Sequence, residues 1–143
     1  LMHMRGEPRS MQADPSYADV VDEVRRYLAA RVEACRGAGI GARRICLDPG
    51  IGFGKRPEHN LALLAALDRL GDPSIPVLVG VSRKSLVGMI TGRAAGDRLA
   101  GSVALAALAV MRGAAIVRAH DVAETVDAVK VAGALRRAAA GGD

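Results

Sequence analysis

Aromatic residues are nearly absent from this chain: Phe53, Tyr17 and Tyr27 are the whole set, and there is no tryptophan. That poverty argues against a surface that stacks bases of single-stranded nucleic acid. It also leaves the core to Ala, Leu, Val and Ile, a palette that suits helices packed closely on a sheet. Lysine is scarce too, with Lys55, Lys84 and Lys130 alone, so the net charge of +5 rests on arginine. The arginines at 25, 26, 31, 36, 43 and 44 fall among Asp and Glu on a helical pattern rather than in a basic stripe. This sets a nucleic-acid partner aside. The two cysteines, Cys35 and Cys46, form no CxxC or metal spacing and read as buried reduced thiols. The longest uncharged run, 99–111, is 13 residues. A membrane span needs roughly 20, and no signal peptide is visible. A soluble, cytoplasmic protein is the expectation.

What is present is enough for one domain, 1–143, with a real core, half of it hydrophobic and about a quarter charged. The opening "LMHM" reads as a strand already in progress, with the start of the unit upstream, and "RGEPRSMQADPS" as a polar loop. Over 17–38, apolar Val20, Val24, Tyr27, Leu28, Val32 and Cys35 mark one face of a helix that Gly37 and Gly39 end. "RRICLD" reads as a buried parallel strand, followed by a glycine loop and a helix over "EHNLALLAALDRLG". "IPVLVGVS" repeats the pattern, runs into "RKSLVGMITG" and leads to a long apolar helix at 97–112. "AAIVRAHD" is the next strand and "VAETVDAVKVAGALRRAA" the closing helix.

Four strand, loop and helix units imply parallel strands joined by right-handed crossovers, in an open doubly wound sheet or a barrel. An open sheet gathers its binding groups at one switch point, whereas a (β/α)8 barrel presents a side chain at every strand end. Here polar groups stand at all four ends: His3 to Arg5, Asp48, Ser82 to Lys84, and Arg118 with His120 and Asp121. That favours an α/β fold of the (β/α)8 TIM-barrel class. At about 36 residues per unit against roughly 250 for a complete barrel, the expectation is half a barrel.

The strand ends carry the chemistry. Asp48 is a carboxylate at the mouth of a low-dielectric sheet, suited to a heterocycle edge with two adjacent N–H donors; a helix-capping or arginine-paired Asp is the plainer alternative. Gly50, Gly52 and Gly54 tilt the choice towards a ligand, since they let backbone come close to one, and the only phenylalanine, Phe53, sits in that loop. In "VSRKS", Lys84 is a donor at a strand end, and Ser85 opens a helix either as an anion contact or as an ordinary N-cap. Arg118 and His120, two apart on a strand and so on one face, form an anion clamp suited to a pyrophosphate, the alternative being an ion pair with Asp121. A Ser-His-Asp triad does not fit, because neighbours His120 and Asp121 point to opposite sides of an extended strand.

In that order and spacing, "LMHMRG", "LDPGIGFGK", "VGVSRKS" and "VRAHDV" resemble the dihydropteroate synthase family, and the match runs the whole chain. The resemblance implies a TIM-barrel transferase of folate synthesis, a sulfonamide target, that joins para-aminobenzoate to hydroxymethyl-dihydropterin pyrophosphate and releases pyrophosphate. It implies that Asp48 reads the pterin's ring N–H and amino group, that Lys84 donates to its carbonyl and ring nitrogen, and that Met2 packs on the ring. Gly52 and Phe53 would wall the aminobenzoate pocket, Ser85 would meet its carboxylate, and Arg118 and His120 would hold the pyrophosphate, with Lys84, Arg118 and His120 as the catalytic set. Mg²⁺ is implied as cofactor, its ligand lying in the half that this chain, as the C-terminal half, does not contain. A homodimer through the C-terminal helices is implied as well, and inactivity of the chain alone. Two other readings stay open: a non-catalytic half barrel that binds pterin or phosphate weakly or acts as a folding or assembly unit, and the barrel of pterin-binding methyltransferases, which needs no pyrophosphate clamp.

Overall fold

Two strands, three residues each, form the only regular ladder among the described residues, and the helices around them follow the apolar pattern closely. The computed structural model describes residues 1–141. Helix α1, Val20–Gly37, starts where Asp19 accepts from the Asp22 amide and ends in a turn at Gly39, whose φ is +80°. Its inward row is Val20, Val24, Leu28 and Val32, all buried. Tyr27 departs from the expected buried face: it is 41% exposed, because the row one turn-position on is taken by Leu28, and its ring stands edge-on to His3 at 5.0 Å. Tyr17 also lies outside the helix.

The anticipated strand over "RRICLD" begins later than its apolar run suggests. Ala42–Arg44 form a 3-10 turn, which leaves both arginines out of the sheet, and extended chain begins at Ile45. Helix α2, Pro57–Ala65, is followed by a 3-10 turn at Leu67–Arg69 that brings Leu67 and Leu70 inward beside Leu63 and Leu64. Strand β1, Leu78–Gly80, leads to α3, Ser85–Thr91, closed by Gly92 in the left-handed region. Helix α4, Leu99–Met111, strand β2, Ile116–Arg118, and helix α5, Val122–Ala139, complete the order.

Parallel pairing runs through the chain in sequence order. Met2 bridges to Asp48 and Leu47 to Val77, while β1 pairs with β2 in the register Leu78 to Ile116 and Gly80 to Arg118. Backbone bonds tie the same neighbours together: His3 N–H donates to Asp48 O at 3.0 Å and Leu78 N–H to Leu47 O at 2.7 Å. Four consecutive parallel segments with no jump in order make the sheet half of a barrel, since a doubly wound sheet reverses order at its switch point. The pairings are short, single bridges at Met2–Asp48 and Leu47–Val77 and three residues between β1 and β2, and among the described residues no further strand pairs with the outer edge of the first segment or of β2. One core joins these segments to α1 and α2, centred on Leu28, Leu47, Leu63, Leu70 and Val79. Beyond it, α5 packs on α4, leaving Leu108, Val131 and Leu135 more than half exposed on one apolar face.

Candidate active site

The loop after Asp48 is held by side chains arriving from four directions. Gly50, Gly52 and Gly54 all have positive φ. Two of them also admit no side chain, for a Cβ on Gly50 would stand 1.8 Å from His3 O and one on Gly54 2.3 Å from Arg5 O. Five successive carbonyls each receive a side-chain donor. Lys55 serves Gly50 and Phe53, each at 3.0 Å, Lys84 serves Ile51, Gln12 serves Gly52, and Tyr17 serves Gly54 at 2.7 Å. Buried Asn60 accepts from the Gly52 amide at 2.8 Å. A loop with its polar backbone satisfied this way is ordered before any ligand arrives.

Asp48 is neither a helix cap nor an arginine's partner: Oδ1 accepts from the Gly50 amide at 2.7 Å, and the half-buried carboxylate faces two lysines. Burial lowers the pKa of Lys84, an effect that Asp48 opposes and Arg118 reinforces. The Lys84 ammonium also lies 4.6 Å from the centroid of the Phe53 ring, a cation–π contact. Met2 is exposed beside its bridge partner Asp48. Ser85 is not an N-cap. Lys84 occupies that position with no side-chain bond, because its long side chain turns away to the glycine loop, and Ser85 is the exposed first residue of α3.

Lys84, Arg118 and His120 line one cavity of about 370 Å³, together with Gly80, Ser82, Arg83 and Ala119. Arg118 lies across Gly80 of the neighbouring strand, where a Cβ would come within 3.3 Å of its Nε. Its expected alternative partner is taken: Asp121 is gripped by both arms of Arg83, one at 3.1 Å. Arg118 makes no ion pair among the described residues. His120 is fixed by Ser82, whose Oγ lies 3.0 Å from Nδ1 and accepts from the His120 amide at 3.1 Å, leaving Nε2 without a partner among the described residues. Gly52 and Ser85 line a second cavity of about 350 Å³, with Gln12, Lys55 and Asn60 among its walls. Met2, Asp48 and Phe53 stand outside both linings, while Phe53 touches Lys84 of the first cavity and the Asp48 charge acts on it.

For some of these residues the sequence shows the type and the place at a strand end but not the role. Arg83 has the only positive φ among the described non-glycine residues, +58°, sitting between Ser82 and Lys84. Its amide donates to Ser102 Oγ at 2.9 Å and its carbonyl accepts from Arg98 at 3.1 Å, so long-range contacts hold the strained turn. The one available signal was a polar run at a strand end. Buried His3 is a second case. Burial first, then Lys55 and Arg5, lower its pKa from 6.5 to about 4. Between those values the unfolded chain binds a proton that the folded chain refuses, so stability falls as pH drops from 6.5 to 4 and levels off below. The loss attributable to His3 is at most about 3 kcal/mol. Denaturant titration of the wild type and His3→Gln at pH 6.5 and 4.5 checks this: the variant should lose less stability on acidification.

No group of three His, Cys, Asp or Glu side chains stands together among the described residues to hold a metal. The cavity lined by Lys84, Arg118 and His120 offers donors and positive charge, which fit an anion and not Mg²⁺. No described helix is long and apolar enough to cross a membrane.

Known proteins are similar to this chain in sequence and fold. The chain is 55% identical over 139 residues to a dihydropteroate synthase of Neisseria meningitidis serogroup B, covering 94% of this chain and 49% of that one. It is 48% identical over 131 residues to the dihydropteroate synthase of Escherichia coli, covering 92% and 46%. Its fold is similar to the crystal structure of Burkholderia cenocepacia dihydropteroate synthase complexed with 7,8-dihydropteroate, with a TM-score of 0.88, 53% identity and coverage of 98% and 53%. It is also similar to Yersinia pestis dihydropteroate synthase with a sulfonamide drug complex, with a TM-score of 0.91, 46% identity and coverage of 96% and 50%. The chain thus spans about half the length of the relatives it matches. Residues 1–120 match the pterin binding enzyme family, and the chain belongs to that family.

Proposed function

We propose that this chain is the C-terminal half of the barrel of a dihydropteroate synthase and supplies one side of its site. The observation that carries the reading is the meeting at Lys84 of three features: a half-buried carboxylate at Asp48, an arginine and a histidine that form no ion pair among the described residues, and an ordered loop bearing Phe53. Asp48 accepts from the pterin's ring N–H and amino group, and Lys84 exchanges Ile51 O for the pterin's carbonyl and ring nitrogen. Met2 covers the ring. Arg118 and the free Nε2 of His120 hold the pyrophosphate. As the carbon–oxygen bond breaks, the bonding pair leaves on pyrophosphate and the clamp stabilises its growing charge. The arylamine nitrogen, placed by Gly52, Phe53 and Ser85, attacks the cationic methylene and then loses its proton to water.

Mg²⁺ does not fit the residues here. We assign it to side chains outside this chain, and no step above passes through it. A cytoplasmic homodimer that buries the apolar face of α4 and α5 completes the reading. The protein to test is the complete enzyme, given pterin pyrophosphate and para-aminobenzoate: dihydropteroate should form, and its absence overturns the assignment.

The open edges at residue 2 and β2 favour a second reading of the chain alone, as a non-catalytic assembly unit. By itself it should associate and make no dihydropteroate. Light scattering beside the same assay checks this, and a compact monomer with turnover would contradict it.

A further inference from the structure

Lys55 is a buried ammonium that the proposed reaction leaves without a task. It is 4% exposed, and no carboxylate among the described residues forms an ion pair with it. Its three N–H groups meet three acceptors, each at 3.0 Å: Gly50 O, Phe53 O and His3 Nδ1. An ammonium can only donate, so Nδ1 of His3 is the accepting nitrogen and the ring proton lies on Nε2. Burial lowers the lysine's pKa from 10.5 to about 8, with Asp48 opposing the shift. A charge held this way adds little stability, because the desolvation of the ammonium offsets much of what its bonds contribute.

What the tripod does supply is geometry. Gly50 and Phe53 are the two ends of one turn, closed by the Phe53 amide donating to Gly50 O at 3.0 Å. Lys55 grips both end carbonyls and fastens them to residue 3 of the first extended segment. We propose that Lys55 is a positioning residue that sets the pitch of this turn, and so the place of the Phe53 ring, for recognition of the arylamine. The inference rests on the functional reading above. The rest of the loop has its own holders in Gln12, Tyr17, Asn60 and Lys84, so removing Lys55 should shift Phe53 without unfolding the segment.

The test uses the complete enzyme with Lys55→Met, Phe53→Ala and both together. Lys55→Met should raise KM for para-aminobenzoate by about ten- to hundredfold, the range expected for a misplaced substrate contact. Affinities for plain pterin and for pyrophosphate, measured by calorimetry, should stay within about threefold, and the double variant should be little worse than Phe53→Ala, because Lys55 acts through that ring. Lys55→Gln, which keeps two donors, should give a smaller shift of the same pattern and serves if the methionine variant does not fold. An unchanged KM, additive losses in the double variant, or parallel losses for all three ligands would overturn the proposal while leaving the functional reading in place. An unsubstituted enzyme that makes no dihydropteroate would overturn both.

Discussion

Asp48→Asn in the complete enzyme is expected to lose pterin affinity by roughly a hundredfold, corresponding to about 3 kcal/mol. The fold should survive, because the asparagine Oδ1 still accepts from the Gly50 amide that Asp48 Oδ1 now takes at 2.7 Å. Held in that orientation, the new amide nitrogen faces the ligand and sets N–H against the pterin's own N–H groups. Lys84 and Lys55 lose the carboxylate that now opposes the lowering of their pKa values, so both lysines should give up their protons at a lower pH than in the wild type. Titration with a pterin analogue reads the affinity, and a thermal melt beside it reads the fold. Unchanged affinity removes Asp48 from the site.

Arg118→Ala and His120→Ala are expected to act on a different part of the substrate. Each removes a donor to the pyrophosphate, and a charged hydrogen bond of about 1.5–3 kcal/mol corresponds to roughly ten- to a hundredfold in affinity. Pyrophosphate and pterin pyrophosphate should both weaken, while plain pterin binds as before. The arginine change should be the larger, since a guanidinium grips an anion with a two-pronged fork and keeps its charge at any working pH. Equal losses for all three ligands would mean that the substitutions damage the β2 end generally. Ser82→Ala is a useful companion, because it removes the hydroxyl that holds the His120 ring and leaves the Arg118 and His120 side chains themselves unchanged.

The helices were readable because their apolar rows have a period that only a helix can bury, and α5 begins and ends within a residue or two of its pattern. The order of strands followed from four polar groups at four strand ends, which the unbroken parallel pairing matches. Local detail was harder. Arg43 and Arg44 looked like the start of a strand because they adjoin an apolar run, yet the chain tightens there into a 3-10 turn. Tyr27 fitted the helical spacing, but a row has room for one side chain per turn and Leu28 takes it.

Within the site, the strand-end motifs contain Lys55 and Arg83 as well as Lys84, but they do not show which of these residues pair with the protein itself. Lys55 binds two backbone carbonyls and a histidine 52 positions away, and Arg83 reaches an aspartate 38 positions away. Such pairings exist only once the strands are side by side. A sequence shows the residue types but not the distances that make Lys55 a brace for the loop.

The division of labour between the Asp48 end and the Arg118 end is best tested by a crystal structure of the complete enzyme with pterin pyrophosphate bound. The expected result has the Asp48 carboxylate accepting from the ring N–H and the amino group, Lys84 moved from Ile51 O to the pterin carbonyl, and the pyrophosphate between Arg118 and His120. A pterin ring bound away from Asp48, or a pyrophosphate that touches neither Arg118 nor His120, would contradict it.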